Sequence, residues 1–252
     1  MAQTQSSRII VLHLTKYGDS GLVVHAFDSA AGRCSYMLRG AGRSKHVTVG
    51  SFHNLAVLDI VSIANPKSSM ALLKEYEPAM HLDSLRSDVV KSSITLFISE
   101  LLYRTIVEQN SDDRLFAWLC HAIALLDATG RTDAPATSVA NFHLWFLAGL
   151  CTALGFGPSQ NGDFDGSEYL QSAKLTASPA FGSKAAAADP SRGDNLTLLR
   201  QLTAIPYAEA MAIPLSGARR RDFCDQMVRY ISYHLGINLH LRSLDVLHDL
   251  YS

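Results

Sequence analysis

The hydrophobic pattern changes period at Pro78, and no all-α or all-β fold accommodates that change. Before Pro78 the chain reads as strands. Ile9–Leu14 and Leu22–Phe27 are rich in Ile, Val and Leu, with Gly18-Asp19-Ser20 as the turn between them. Ala30-Ala31-Gly32 marks a second turn. From Arg33 to Arg39 the residues alternate: Cys34, Tyr36 and Leu38 point one way, and Arg33, Ser35, Met37 and Arg39 the other. Phe52–Ile63 holds a fourth strand, and Met70–Tyr76 a fifth after the Asn65-Pro66 turn. Most of the connections are too short for a helix, so the expectation is a small antiparallel barrel. An SH3-like barrel and an OB-fold both fit.

After Pro78 the spacing becomes helical. Val90, Ile94, Phe97, Ile98, Leu101 and Leu102 recur at that spacing over residues 85–108. Leu115, Leu119, Ile123 and Leu126 do the same, with Ser111-Asp112 as the N-cap region and Gly130 as the stop. A third helix is expected from Val139 to Leu154, apolar on nearly all sides and therefore central. A fourth carries Phe223, Met227, Tyr230, Ile231, His234 and Leu235 and stops at Gly236, and a short last one spans Ser243–Leu250. The fold class expected is α+β: a barrel domain over residues 1–80 and a helical domain over 81–252. Residues 157–194, rich in Ser, Ala, Gly and Asp, read as an irregular insertion with a weak hairpin at 163–171.

Composition narrows the function classes. Of 252 residues, 48% are hydrophobic and 18% charged, which is globular. The formal net charge of −1 does not point to a polyanionic partner, so any such site has to be a local patch. Residues 1–80 nevertheless carry eight Lys/Arg against five acids, and the rest of the chain is acidic in compensation. The start of the chain has no signal-peptide pattern. The longest apolar run, Leu144–Phe156, is too short to span a bilayer. A cytoplasmic, soluble chain with reduced thiols is expected.

The search for catalytic motifs is negative. Gly40-Ala41-Gly42-Arg43-Ser44-Lys45 has neither the Walker A spacing nor that of a dinucleotide fingerprint, and H-E-x-x-H and G-x-S-x-G are missing. The cysteines at 34, 120, 151 and 224 form no C-x-x-C pair, and Cys120 and Cys151 read as small buried hydrophobes. The ten histidines are scattered; His234 and His240 lie on either side of a glycine break. Asp112-Asp113 and Glu75/Glu77 sit at helix-start and strand positions. Neither a cofactor nor a metal is expected.

The positive signal is residues 29–58, which contain no acid but carry Arg33, Arg39, Arg43 and Lys45. Arg33 and Arg39 share a strand face, roughly 20 Å apart. Gly40 and Gly42 allow close approach of backbone to phosphate. A basic groove on a small barrel is a common way to track a single strand. A charged strand edge guarding against aggregation accounts for the same residues. Candidate stacking aromatics are Tyr17, Phe52 and Tyr76.

Several segments, in order, resemble the RecO family of bacterial DNA repair proteins. Tyr17-Gly18-Asp19-Ser20-Gly21-Leu22-Val23-Val24 is similar to its "Y-G-E-x-S-L-L-V" opening. Gly32-Arg33 with Arg39-Gly40-Ala41-Gly42-Arg43-Ser44-Lys45 resembles "G-K/R…R-G-A-R-R-x-K", and Phe52–Leu58 resembles "F-x-x-L-x-x-L". Phe142–Leu147 and Leu154–Pro158 are similar to "F-E-L-x-L-L…L-G-Y-x-P". Tyr233-His234-Leu235-Gly236 and Arg242-Ser243-Leu244 are similar to "Y-H-L-G…S-R-x-L".

The resemblance implies an N-terminal OB-fold, a helical domain and no catalysis. It implies binding to single- and double-stranded DNA and annealing of complementary strands. RecR, and in many bacteria RecF, are the implied partners in loading RecA onto DNA coated by single-strand-binding protein (SSB). The protein would be nucleoid-associated when bound to DNA. Arg33, Arg39, Arg43 and Lys45 take the DNA-binding role, with Lys16 in the first hairpin as a further candidate. Arg219-Arg220-Arg221 would supply a cationic rim for the acidic, Phe-ended SSB tail; the other reading of that run is a solvated charge cluster at a helix start.

Two departures stand out. Many relatives carry a four-cysteine zinc module where this chain has the cysteine-free Ser159–Arg192, so no zinc is expected. The family often has two consecutive basic residues where this chain has Gly42-Arg43, which implies weaker DNA affinity. The alternative function is a non-catalytic adaptor whose barrel binds a protein partner.

Overall fold

The computed structural model describes residues 4–18, 21–40, 49–64, 68, 70–130, 139–158 and 195–250. Five strands, β1 (Thr4–Tyr17), β2 (Gly21–Asp28), β3 (Gly32–Arg39), β4 (Val57–Ile63) and β5 (Ala71–Pro78), close into a barrel in the order β1-β2-β3-β5-β4. All pairings are antiparallel except β3 with β5, which meet through Tyr36↔Ala71 and Met37↔Leu72. This is the OB-fold arrangement.

Closure depends on the length of β1. Its first half pairs with β4, from Thr4↔Ile63 to Ile10↔Val57, and its second half with β2. The bend between them is a bulge: Val11 faces Ala26 and His13 faces His25, leaving Leu12 unpaired. The Ser99 hydroxyl donates to the Leu12 carbonyl, which would otherwise be a buried orphan.

Alternation fills the interior. Ile9, Val11, Val24, Ala26, Tyr36, Leu38, Leu58, Ile60 and Leu73 point inward around Phe52. Phe52 is a correction to its reading as a stacking aromatic: it is 0% exposed, in the short helical turn Val49–Phe52, with its ring 4.5 Å from that of Tyr76. Its position before a buried strand places it in the core. The phenol of Tyr36 donates to the buried Asp28 carboxylate. That carboxylate also accepts from the Ser7 hydroxyl at 2.6 Å and from the amides of Ala30 and Ala31 at 2.7 and 3.1 Å. The β2–β3 turn is thereby locked to β1.

The helical pattern over residues 85–108 resolves into two helices, α1 (Ser84–Ser87) and α2 (Val89–Thr105). Asp88 divides them because its carboxylate caps α2, accepting from the amides of Val90 and Lys91. Helix α3 (Asp113–Ala128) starts on Asp112, which accepts from the Leu115 amide at 2.9 Å. The buried Lys91 ammonium ties these helices together, donating to the Ser84 hydroxyl and the Asp127 carbonyl, both at 2.8 Å. The described residues of Met1–Arg131 and Leu241–Leu247 form one compact unit. Within it Glu100 of α2 accepts from the Arg242 and Ser243 amides and the Ser243 hydroxyl. It thus caps the start of the last helix, α8 (Ser243–Leu250).

The second unit comprises the described residues of Thr132–His240 and His248–Ser252. Helix α4 (Phe142–Ala153) is buried nearly all round, as its composition predicts. Around it pack α5 (Asn195–Ala204), α6 (Tyr207–Ala212) and α7 (Gly217–Leu235), the last ending on left-handed Gly236. Helices α5 and α6 are not foreseen by the sequence reading: α5 contains Asn195, Thr197 and Thr203, poor helix formers, and α6 is a turn and a half. Residues 159–194, including the expected hairpin at 163–171, lie outside the described residues. Among the described residues no helix is long and apolar enough to cross a membrane.

Candidate nucleic-acid interface

The pairing register lays out the outer face of β1–β2–β3 in rows. Because Leu14 packs inward, His13, Thr15 and Tyr17 point out. The rows across the three strands are His13–His25–Ser35, Thr15–Val23–Met37 and Tyr17–Gly21–Arg39. Neighbouring strands lie roughly 5 Å apart, so Tyr17 and Arg39 are separated at the backbone by roughly 10 Å across Gly21.

Gly21 is required there. A Cβ at this position would lie 2.6 Å from the Tyr17 carbonyl oxygen and 3.5 Å from its ring carbon. The Tyr17 ring therefore leans over the glycine, yet the residue stays 57% exposed. Arg39 is exposed at the end of its row, and Gly40 leaves the strand with φ +74°. An exposed aromatic, an open floor and a cation in one row are what a base and its phosphate need from a strand-binding surface.

Charge sorts in the same way. The three strands carry Arg8, Lys16, Arg33 and Arg39 and a single acid, Asp28, which is 1% exposed and fully engaged by its donors. Strands β4 and β5 carry three acids, Asp59, Glu75 and Glu77, against one cation, Lys74.

The sequence-expected site residues separate on this surface. Arg39 is exposed on the outer face. Lys16 is exposed on β1, paired with Leu22. Arg33 is on the same outer face as Arg39 but half-buried. Its guanidinium lies 4.2 Å above the Tyr103 ring and donates to the Tyr103 carbonyl at 3.1 Å. Burial draws its pKa down, and Tyr103 opposes that. Arg43 and Lys45 lie outside the described residues.

Arg219, Arg220 and Arg221 do not converge. Arg219 bonds Asn195 and pairs with Asp222 at 3.3 Å. Arg220 donates to Asn141 Oδ1 at 2.8 Å, and Arg221 to the His248 carbonyl at 3.0 Å. Consecutive helical residues are turned by roughly 100°, so three in a row face three directions.

Sequence reasoning misses a ring cluster on the first row. His13 and His25 lie 6.0 Å apart, and Tyr103 of α2 stands 4.9 Å from His13 and 5.4 Å from His25. The His25 ring nitrogens contact Ser35 Oγ at 2.9 Å and Thr15 Oγ1 at 3.2 Å. The signal available was period 2: His13 and Thr15 on β1, and His25 opposite on β2. Among the described residues no group of three or more His, Cys, Asp or Glu side chains is placed to hold a metal ion.

The sequence matches the family model "Recombination protein O N terminal" over residues 1–81 and "Recombination protein O C terminal" over residues 86–244. It is 32% identical over 246 residues to the DNA repair protein RecO of Bacteroides fragilis, covering 96% of this chain and 97% of the relative. It is 31% identical over 253 residues to RecO of Porphyromonas gingivalis, at 97% and 98% coverage. Identity to RecO of Christiangramia forsetii is 28% over 261 residues, again 97% and 98%. With an OB-fold barrel, a cationic outer face and family matches along nearly its whole length, this chain belongs to the RecO family of DNA repair proteins.

Proposed function

We propose that the protein is a non-enzymatic recombination mediator: it binds single- and double-stranded DNA on its barrel domain (residues 1–80), anneals complementary strands and, with RecR and, where one is present, RecF, helps load RecA onto SSB-coated DNA. The observation that supports this most is the Tyr17–Gly21–Arg39 row on strands β1–β3, whose single acid, Asp28, is buried and engaged. The mechanism is electrostatic. Cations on the barrel neutralise the repulsion between two backbones and leave base edges free to pair. Arg39, Lys16, Arg43 and Lys45 contact phosphate, Tyr17 stacks a base, and Arg33 braces α2 against the face while adding its charge.

The acidic SSB tail is proposed to meet α7. Arg221 is the exposed member of its arginine run.

The test is fluorescence anisotropy on labelled single strands across a salt series, followed by annealing with SSB present. About four phosphate contacts give a log–log salt slope near −2.8. A strong preference among base sequences, or a flat salt response, would count against a backbone-reading surface.

A further inference from the structure

We propose that the His13–His25 pair, with the hydroxyls of Thr15 and Ser35, forms a titratable subsite for the backbone phosphate of single-stranded nucleic acid, one that gains affinity as the imidazoles protonate. The proposal rests on the reading that the outer face of β1–β3 binds nucleic acid. The subsite lies on the same face as Arg39 and Tyr17, four residues of strand from them, or roughly 13 Å. A strand crossing the Tyr17–Gly21–Arg39 row and continuing along the face passes the Thr15–Val23–Met37 row and then meets the imidazole row.

The hydrogen bonds explain how protonation changes the surface. Both ring nitrogens of His25 are bonded to hydroxyls. A neutral imidazole has one N–H and one bare nitrogen, so one hydroxyl must donate its proton to the ring. In the imidazolium both nitrogens donate, both hydroxyls accept, and the O–H held by the ring is released. Protonation thus adds a positive charge and frees a hydroxyl donor at the same place, and a phosphate diester uses both.

In the free protein the surroundings of His25 disfavour its charged form. Burial pulls its pKa below the ordinary histidine value, and the charges of Arg33 and His13 pull in the same direction. From β1 it faces His13, from β3 Arg33 and Ser35, and from α2 the Tyr103 ring. The neighbouring charges of α2, Glu100 and Arg104, pair with each other at 3.6 Å. An arriving phosphate is the missing anion, and its binding draws a proton onto the ring.

The experiment is anisotropy of the full chain on a labelled single strand at about pH 8 and about pH 6, each across a salt series, with intrinsic tryptophan fluorescence confirming the folded state. Wild type should bind roughly tenfold tighter at the lower pH. Its salt slope should steepen by about 0.7 for each imidazolium that meets a phosphate. His13→Gln and His25→Gln should each flatten the pH response. His13→Lys should raise affinity at the higher pH and shrink the dependence. His121→Gln, an exposed histidine of α3, should leave the response intact. Binding that Arg39→Glu weakens but that shows no pH response, or a response that survives both glutamine variants, overturns this proposal alone. Absence of binding at both pH values overturns it together with the reading it rests on.

Discussion

The two halves of the barrel share one interior and differ on their outsides. Strands β1–β3 and β4–β5 send the same kinds of residue inward: Val24, Leu38, Leu58 and Leu73 meet around Phe52. Outward, β1–β3 carry arginine, histidine and an exposed tyrosine, whereas β4–β5 carry Asp59, Glu75 and Glu77 against the single cation Lys74. The inner faces decide that a barrel forms, and either half would serve. The outer faces decide which half meets a polyanion. A chain with a net charge of −1 can still present a face suited to a polyanion because its charges are sorted by side.

The largest expected effect removes the interior that both halves share. Phe52→Ala should cost about 3–5 kcal/mol, read as a lower urea midpoint, because the site is fully buried and ringed by strands that cannot collapse independently. Gly32→Ala comes next. Gly32 has φ +71°, and a Cβ there would collide with the Asn110 backbone, next to the Arg33 amide that donates to the Glu108 carbonyl at 2.9 Å. About 1–3 kcal/mol should be lost, together with exchange protection of the Arg33 amide.

Selective changes sharpen the comparison. Arg39→Glu should weaken single-strand binding roughly tenfold or more, while Glu75→Lys with Glu77→Lys on the other half should not weaken it. A loss from the β5 variants equal to that from β3 would show that overall charge, and not the face, controls binding.

The smallest effect is at the seam between the halves. Arg8 and Asp59 pair at 2.7 Å on the surface. The hydrogen bond from Arg8 holds the Asp59 carboxyl below its ordinary pKa. A depressed carboxylate stabilises above its unfolded pKa, and that contribution disappears as pH falls through the folded value. Both partners are solvent-exposed, so Arg8→Ala should cost under about 1 kcal/mol near neutrality. The difference from wild type should begin to shrink below about pH 4 and vanish once pH is below the lowered pKa of Asp59.

What could be read from the sequence follows the range of the interactions. The barrel interior was legible because alternation is local: Cys34, Tyr36 and Leu38 are recognisable from their own neighbours. The caps at Asp112 and Gly236 were legible for the same reason. The Arg33 environment was not, because Tyr103, seventy residues away, sets it. The His13–His25 pair needed the β1–β2 register, which a bulge at Leu12 shifts. Leu55, buried in a left-handed conformation at φ +61° beside that bulge, has no sequence signal, since its amide is fixed by the Val11 carbonyl across the barrel. The arginine run at 219–221 looks like one cluster in sequence, but helical geometry distributes it among Asp222, Asn141 and His248.

The most direct test of the account is the salt dependence of single-strand binding, measured side by side for wild type, Arg39→Glu and the Glu75→Lys/Glu77→Lys pair. The account predicts steeply salt-dependent binding that the β3 change weakens roughly tenfold or more and the β5 changes leave intact or strengthen. Salt-independent binding, or binding that Arg39→Glu leaves at wild-type strength, would contradict it.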